Sequence, residues 1–292
     1  MNTLLNEAYD LHVHSAPDIL PRKMDDVEMA QRIIAVGMKG YAAKSHFFCT
    51  SERAQTVNKL YPDCHVIGSI TLNNSVGGIN PMAVEMAGRS GAKIVWFPTI
   101  DSENEQAYLI NNKPERLPYW MQIQQQMKAE GIVSPTISIL ENGKLKKEVF
   151  EVLDIIARFN MILATSHVSH QEAFVLVKAA KERKAERIVI THADFPSTFY
   201  TVEEQKELIK SGAFIEHCYT TAATGKVSWE TAIGQIQAIG PEYVVLATDL
   251  GQSAAVYPDE GLAIYGEKLL TKGFSEADVR TMAVKNPTSL LS

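Results

Sequence analysis

Apolar positions along this chain come in short β-prone runs, and between the runs they recur at helical spacing. The first run, residues 9–15 (Tyr-Asp-Leu-His-Val-His-Ser), carries two histidines at i and i+2. Strand side chains alternate faces, so both imidazoles leave the backbone on one side and form a metal-ligand pair. Val27, Met29, Ala30, Ile33, Ile34 and Val36 follow at helical spacing, which predicts a helix over 25–37, with Asp25 or Asp26 as its cap and Gly37 as its stop. A second apolar run, 40–46, follows at once. Strand, helix, strand over so short a stretch implies a parallel sheet.

The alternation continues, with helices predicted at 51–60 and 81–90, the latter with Pro81 in its first turn, and strands at 65–72 and 92–99. Further strands are predicted at 161–167, 187–192, 213–219 and 243–249, with helices at 171–183, 202–211 and 228–239. Eight strands alternating with helices point to an α/β fold of the (β/α)8 TIM-barrel type rather than an open sheet. One stretch breaks the rhythm. Residues 101–147 hold a polar, Asn-rich segment, a helix at 119–129 and Asn142-Gly143 between apolar residues, which signals a β-hairpin. This insertion follows the fourth strand and so belongs over the strands' C-terminal ends, as a lid, part of the substrate wall or mere decoration.

At 292 residues, with 46% hydrophobic and 21% charged residues, the chain suits one barrel domain spanning 1–292. A net charge of −6 without any Lys/Arg-rich block argues against nucleic-acid or membrane partners and leaves a small-molecule substrate. Cys49, Cys64 and Cys218 are odd in number and have neither metal-finger nor redox spacing, so a reducing, cytoplasmic setting is expected. The polar start of the chain and the lack of a long apolar run fit that expectation. A homo-oligomer is expected on the general habit of soluble enzymes.

In a barrel the C-terminal ends of all strands share one mouth. His12, His14, His46, His167, His192 and His217, of the eight histidines, fall there, with Lys44, Glu216 and Asp249; His65 opens its strand instead, and His170 lies just past one. Any one of these could be a core imidazole, but as a set they point to a site. Around it, Arg22 and Lys23 are candidates to clamp an anion or are a solvated charge pair. Asn73, opening an Asn- and Gly-rich loop, either binds substrate or belongs to a plain turn. Tyr219, Phe195 and Pro196 are wall residues by position.

With Asp10-Leu11-His12-Val13-His14 on the first strand, His167 and His192 ending the fifth and sixth, Asp249 after the eighth and the terminal stretch 273–291, the chain resembles the amidohydrolase superfamily of metal-dependent hydrolases. Within it the chain is similar to an amidohydrolase-like subfamily whose chemistry the motifs do not name. The resemblance implies a divalent metal on His12, His14 and Asp249, with His167 and His192 serving a second ion or the substrate. Zinc is the first expectation; manganese, iron and nickel also suit such ligands. The implied reaction is attack of metal-activated water on a small amide, lactone or ester, with Asp249 as general base and acid and with Lys44 and His192 as further catalytic candidates.

One departure qualifies this. Many binuclear members end the fourth strand with a carbamylated lysine or a glutamate, and Ile94-Val-Trp-Phe-Pro-Thr99 offers neither. One ion is therefore credible. Lys44, on the same strand face as His46, could bridge two ions if carbamylated, sit protonated beside an anionic substrate, or pair with Glu216 or Asp249. Lys44, His46, Glu216 and His217 together make a possible second tier. Three other readings stay open: a phosphoesterase like the polymerase and histidinol phosphatase family, which the opening motif also resembles, a single-metal decarboxylase on the same barrel, and a non-catalytic protein with a structural metal.

Overall fold

The computed structural model describes residues 4–113 and 117–292. Residues 1–3, in the polar N-terminal stretch, and 114–116, in the expected insertion, lie outside the described residues. Parallel strands form where the apolar runs are: β1 (Tyr9–Val13), β2 (Gly40–Ala43), β3 (His65–Ile67), β4 (Ser69–Thr71) and β5 (Ile94–Trp96). After a small antiparallel pair, β6 (Leu140–Glu141) and β7 (Lys144–Leu145), come β8 (Ile162–Ala164), β9 (Ile188–Ile190), β10 (Ala213–Cys218) and β11 (Val244–Ala247).

The strands pair in the order β1-β2-β3 and β4-β5-β8-β9-β10-β11. What was expected as one third strand, 65–72, is thus two pieces. Gly68 separates them because the Cα of Ser51 would lie 2.5 Å from any Cβ there. Thr50 fills the resulting gap: its hydroxyl donates to the Ala43 carbonyl at 2.7 Å and accepts from the Ser69 N–H at 2.8 Å. At the other edges, the His14 N–H donates to the Leu250 carbonyl at 2.7 Å and the Asp249 N–H to the His12 carbonyl at 2.8 Å. Hydrogen bonding therefore returns from the last strand to the first.

Both faces of the strands are apolar because both are covered. Leu11, Ala42, Ile67, Trp96, Ile162 and Val245 fill the interior, while a larger apolar layer packs the outer faces against helices. Those helices begin where short polar side chains can satisfy their free N–H groups. Asp25 accepts from Glu28 N, Asn80 from Ala83 N, and Ser169/Glu172 and Thr201/Glu204 make reciprocal capping boxes.

Within 101–147 the expected hairpin is present, with Asn142 (φ 51°) and Gly143 (φ 75°) both left-handed as a tight turn requires. The helix Tyr119–Ala129 is as expected, and a further one, Glu103–Asn111, precedes it. Helices Lys147–Phe159 and Pro258–Thr271 complete the outer layer. The terminal stretch is two short α-helices joined by a π-turn at Thr281–Lys285. Among the described residues no helix is long and apolar enough to cross a membrane.

Candidate active site

His12 and His14 leave the end of β1, past a register shift against β2 between Asp10 and Val13, and the chain after β11 brings Asp249 to the same point. Asp249 Oδ1 lies 3.1 Å from His12 Nε2 and 3.2 Å from His14 Nε2. One donor atom from each of the three falls within 4.8 Å of the others. The approach depends on Gly251: at φ 142° its missing Cβ would sit 1.7 Å from the His14 carbonyl oxygen. Beneath, Asp10 accepts from Thr248 Oγ1 at 2.5 Å and from the N–H groups of Thr248 and His12, joining the first strand to the last. Burial pushes the Asp10 carboxyl up to about 7 despite those donors.

Four of the rings, His12, His14, His46 and His167, are held through Nδ1, whereas His192 Nδ1 is buried without a partner. His12 Nδ1 faces Glu216 at 3.2 Å, and the same carboxylate accepts the His192 N–H at 2.9 Å. His167 Nδ1 lies 2.9 Å from Glu105, and His46 Nδ1 lies 2.9 Å from the Thr99 hydroxyl. Arg22, locked to Asp18 at 2.6 Å, donates to His14 Nδ1 at 3.2 Å. Against the pull of burial, the facing His12 and His14 hold the Asp249 carboxyl well below the carboxylate range. His12, with the His192 N–H and Lys44, does the same more weakly for Glu216. Burial, reinforced by neighbouring cations, holds His14, His46 and His192 well below the usual imidazole range, so these rings are neutral at pH 7.

Two imidazoles and an ionised carboxylate are the donor set a catalytic zinc takes, and the Glu216 contact holds the proton of a neutral His12 on Nδ1, leaving Nε2 toward the centre. The residues fit a divalent ion. Two features oppose it: Lys44 Nζ, 2.9 Å from His12 Nε2, occupies the lone pair that would ligate, and Arg22 donating to His14 Nδ1 puts that ring's proton on Nε2, facing Asp249, from which it must leave. His167 and His192 meet edge to face, ring centroids 4.8 Å apart, and His192 stacks on His12 at 5.7 Å. Among the described residues neither joins a compact three-donor group; the second such group is His12, Glu216 and Cys218.

The remaining expected residues divide. Lys44 is buried, with Nζ 2.9 Å from His12 Nε2 and 4.2 Å over the Trp96 ring. Of the three alternatives for Lys44, the ion pair with Glu216 or Asp249 is not formed within 4.0 Å, and burial lowers the ammonium pKa to about 8. His46, Arg22 and Tyr219 line the cavity described below. His217 corrects the expectation: it lies on the opposite face of β10 from Glu216, its Nδ1 3.4 Å from the buried Asp194. One residue of strand register carries it out of the site. Asn73 is also corrected, since its amide is consumed by the His46 carbonyl, the Thr99 hydroxyl and the Thr99 N–H and does not face a ligand. Arg22 is no solvated charge pair either, its side chain being only 4% exposed.

These groups floor a cavity of about 950 Å³ whose upper wall includes Tyr108, Leu109, Tyr119 and Trp120 from the 101–147 stretch. The helix Glu103–Asn111 is fastened to the site. Ser102 Oγ and Asn104 Nδ2 donate to the His167 carbonyl at 2.7 and 3.2 Å, Asn104 also reaches the Ser197 carbonyl at 2.7 Å, and Ser197 Oγ donates to Glu105. Glu105, Asp10 and Asp18 are the functional residues sequence reasoning missed. Asp10 had a signal, its i, i+2, i+4 alternation with His12 and His14. Glu105, 62 residues from His167, had none.

Residues 7–216 match the profile of a family described as a family of unknown function (DUF6282). No curated protein matches at the level of sequence. Among solved structures, an amidohydrolase from Pseudomonas aeruginosa superposes with a TM-score of 0.64 at 12% identity, over 99% of this chain and 96% of that one. A TatD homologue from Escherichia coli K12 gives 0.60 at 12% identity, over 98% of both chains. An organophosphorus hydrolase from Deinococcus radiodurans gives 0.59 at 13% identity, over 99% of this chain and 94% of that one. At such identities the likeness establishes a shared α/β fold.

Proposed function

This chain belongs to the DUF6282 family of unknown function, and from that starting point we propose that it is a metal-dependent hydrolase. In this reading the fold is a closed (β/α)8 barrel of one domain, with 101–147 inserted over its mouth. A single divalent ion, zinc first, is held by His12, His14 and Asp249. The observation that carries the reading is the meeting of His12 Nε2, His14 Nε2 and Asp249 Oδ1 at the open end of the strands, from positions 12, 14 and 249 of the sequence. Three structural neighbours are described as an amidohydrolase, a dipeptidase and an organophosphorus hydrolase, which supports the same class of chemistry.

An ion held by His12, His14 and Asp249 would supply a Lewis acid for the scissile carbonyl and would acidify water. Asp249, kept ionised by the two imidazoles, takes the proton of the attacking water and returns it to the leaving amine or alcohol. Lys44, without a carboxylate within 4.0 Å among the described residues, holds negative charge developing on the substrate oxygen. His167, fixed by Glu105, and His192 orient the substrate from the opposite side of the floor. A buried ammonium of this kind also favours a second reading, a single-metal decarboxylase that binds a substrate carboxylate at Lys44. The phosphoesterase reading is weaker, because that family wants an Asp-x-His after the last strand and this chain has Asp249-Leu-Gly.

The test is metal content and turnover together. Purified protein is expected to carry about one ion per chain, to lose turnover of esters, lactones or amides on chelation and to regain it with zinc. Release of carbon dioxide from a carboxylated substrate, with no ester, lactone or amide turned over, moves the assignment to the lyase. Turnover that survives both chelation and Asp249→Asn overturns the metal-dependent reading.

A further inference from the structure

The cavity is larger than the chemistry at its floor needs. Its volume, about 950 Å³, stands at the top of the roughly 300–1,000 Å³ range of small-molecule pockets. Its lining joins the candidate site residues His14, Lys44, His192 and Asp249, with Arg22, Glu105 and Lys226, to a predominantly apolar surface. Its aromatic lining is Tyr108, Tyr119 and Trp120 of the 101–147 stretch together with Phe195 and Tyr219.

These roof aromatics do not belong to the protein core. The helix Tyr119–Ala129 has no buried residue at all, and Tyr119 is 51% exposed. Leaving large apolar side chains wet is unfavourable unless something covers them, and here they edge a concave, apolar space. Nor does the roof hang free at its start. The Ser102, Asn104 and Glu105 contacts to the loops carrying His167 and Ser197 fix the helix Glu103–Asn111, and with it Tyr108, against the catalytic floor.

Resting on the hydrolase reading, we propose that this site selects substrates with a bulky apolar group, an aryl or medium-chain acyl moiety, on the bond that is cleaved. The polar floor takes the carbonyl, and the aromatic walls take the apolar group. A small polar amide would leave the upper cavity filled with water and the roof aromatics uncovered.

The experiment uses the zinc-loaded full chain and p-nitrophenyl acetate, butyrate, octanoate and benzoate. Each methylene withdrawn from water is worth roughly fourfold in binding, so kcat/KM is expected to rise at least about 30-fold from acetate to octanoate, with benzoate also favoured. Trp120→Ala and Tyr119→Ala should lower the octanoate-to-acetate ratio about tenfold, mainly through KM. Independently of turnover, octanoate and 2-naphthoate should bind the protein measurably by calorimetry where acetate does not, and Trp120→Ala should weaken them about tenfold. Ester turnover with a flat chain-length profile overturns the substrate class while leaving the hydrolase in place. Selective binding of octanoate without turnover of any ester or amide retains the apolar site and removes the hydrolase. Absence of octanoate binding together with absence of turnover of any ester or amide overturns both.

Discussion

Removing the Glu105 carboxylate tests whether the 101–147 stretch is part of the machinery or only covers it. Glu105 Oε2 sits 2.9 Å from His167 Nδ1 and also receives the Ser197 hydroxyl. Although burial pushes the carboxyl up, His167 and Ser197 hold it below its ordinary value, so it is ionised at neutral pH. In Glu105→Ala the His167 ring loses its orienting acceptor in a place where the residue is only 8% exposed. An unsatisfied buried donor costs about 1–3 kcal/mol, and loss of a carboxylate behind a functional histidine typically costs about 10–100-fold in activity. We expect kcat/KM to fall 10- to 100-fold in Glu105→Ala and less in Glu105→Gln, whose amide oxygen can still accept. Zinc stoichiometry should not change, since the ion rests on His12, His14 and Asp249. Nitrogen NMR of the imidazoles should show the His167 tautomer fixed in the parent and mixed in Glu105→Ala. Wild-type kcat/KM with an unchanged His167 signal in Glu105→Ala would refute the reasoning, and loss of bound zinc would make His167 a ligand.

Three further outcomes follow from the geometry. Zinc at 100 times its Kd should raise stability by about 2.7 kcal/mol, seen as a rise in Tm of several degrees that His12→Ala abolishes; an equal rise in both proteins counts against the site. Gly251→Ala must move a Cβ away from an oxygen 1.7 Å distant at φ 142°, so it should cost more than about 3 kcal/mol, and a denaturation midpoint like the parent's would show that the loop yields. For Glu204, modest burial raises the carboxyl, but the Thr201 N–H and hydroxyl and His170 outweigh it and hold the pKa down. Its contribution is therefore present above the ordinary glutamate pKa and lost as pH falls through the lowered one. Glu204→Gln should cost up to about 1 kcal/mol at pH 7 and nothing at pH 2, and a pH-independent difference would contradict the linkage.

Much of this architecture is legible because the signals are local. The β1 alternation, the Asp25 cap and Gly37 stop, the Asn142-Gly143 turn and the histidines ending β8 and β9 are each set by a few neighbouring residues. The helix Lys147–Phe159 is not among those predicted, although Val149, Val152, Leu153 and Ile156 recur at helical spacing and are buried. What cannot be read so is whatever depends on how distant segments meet. Asn73 looked available until Thr99 and the His46 carbonyl met it. Arg22 looked solvated, and Asp18 with His14 buried it.

The site residues past the strand ends show the limit most sharply. Parity assigns Glu216 to the interior and should have sent His217 outward; the rule is sound while the backbone stays extended. It stops where the backbone turns left-handed, at Ser166 (φ 58°), His192 (φ 24°) and Asp249 (φ 53°), each at or beside a candidate site residue. Such conformations cost about 1–3 kcal/mol apiece outside glycine and persist only when fixed from several sides. Here the fixings are identifiable: the Ser166 N–H donates to Thr191 Oγ1, the His192 N–H to Glu216, and the Asp249 N–H to the His12 carbonyl. Of the three partners, Glu216 is placed by regular strand register, while His12 lies at the register shift of β1. The readable part of the site thus holds the unreadable part in its strained shape, and substitutions at Glu216 should disturb the backbone at His192 as well as the ring of His12.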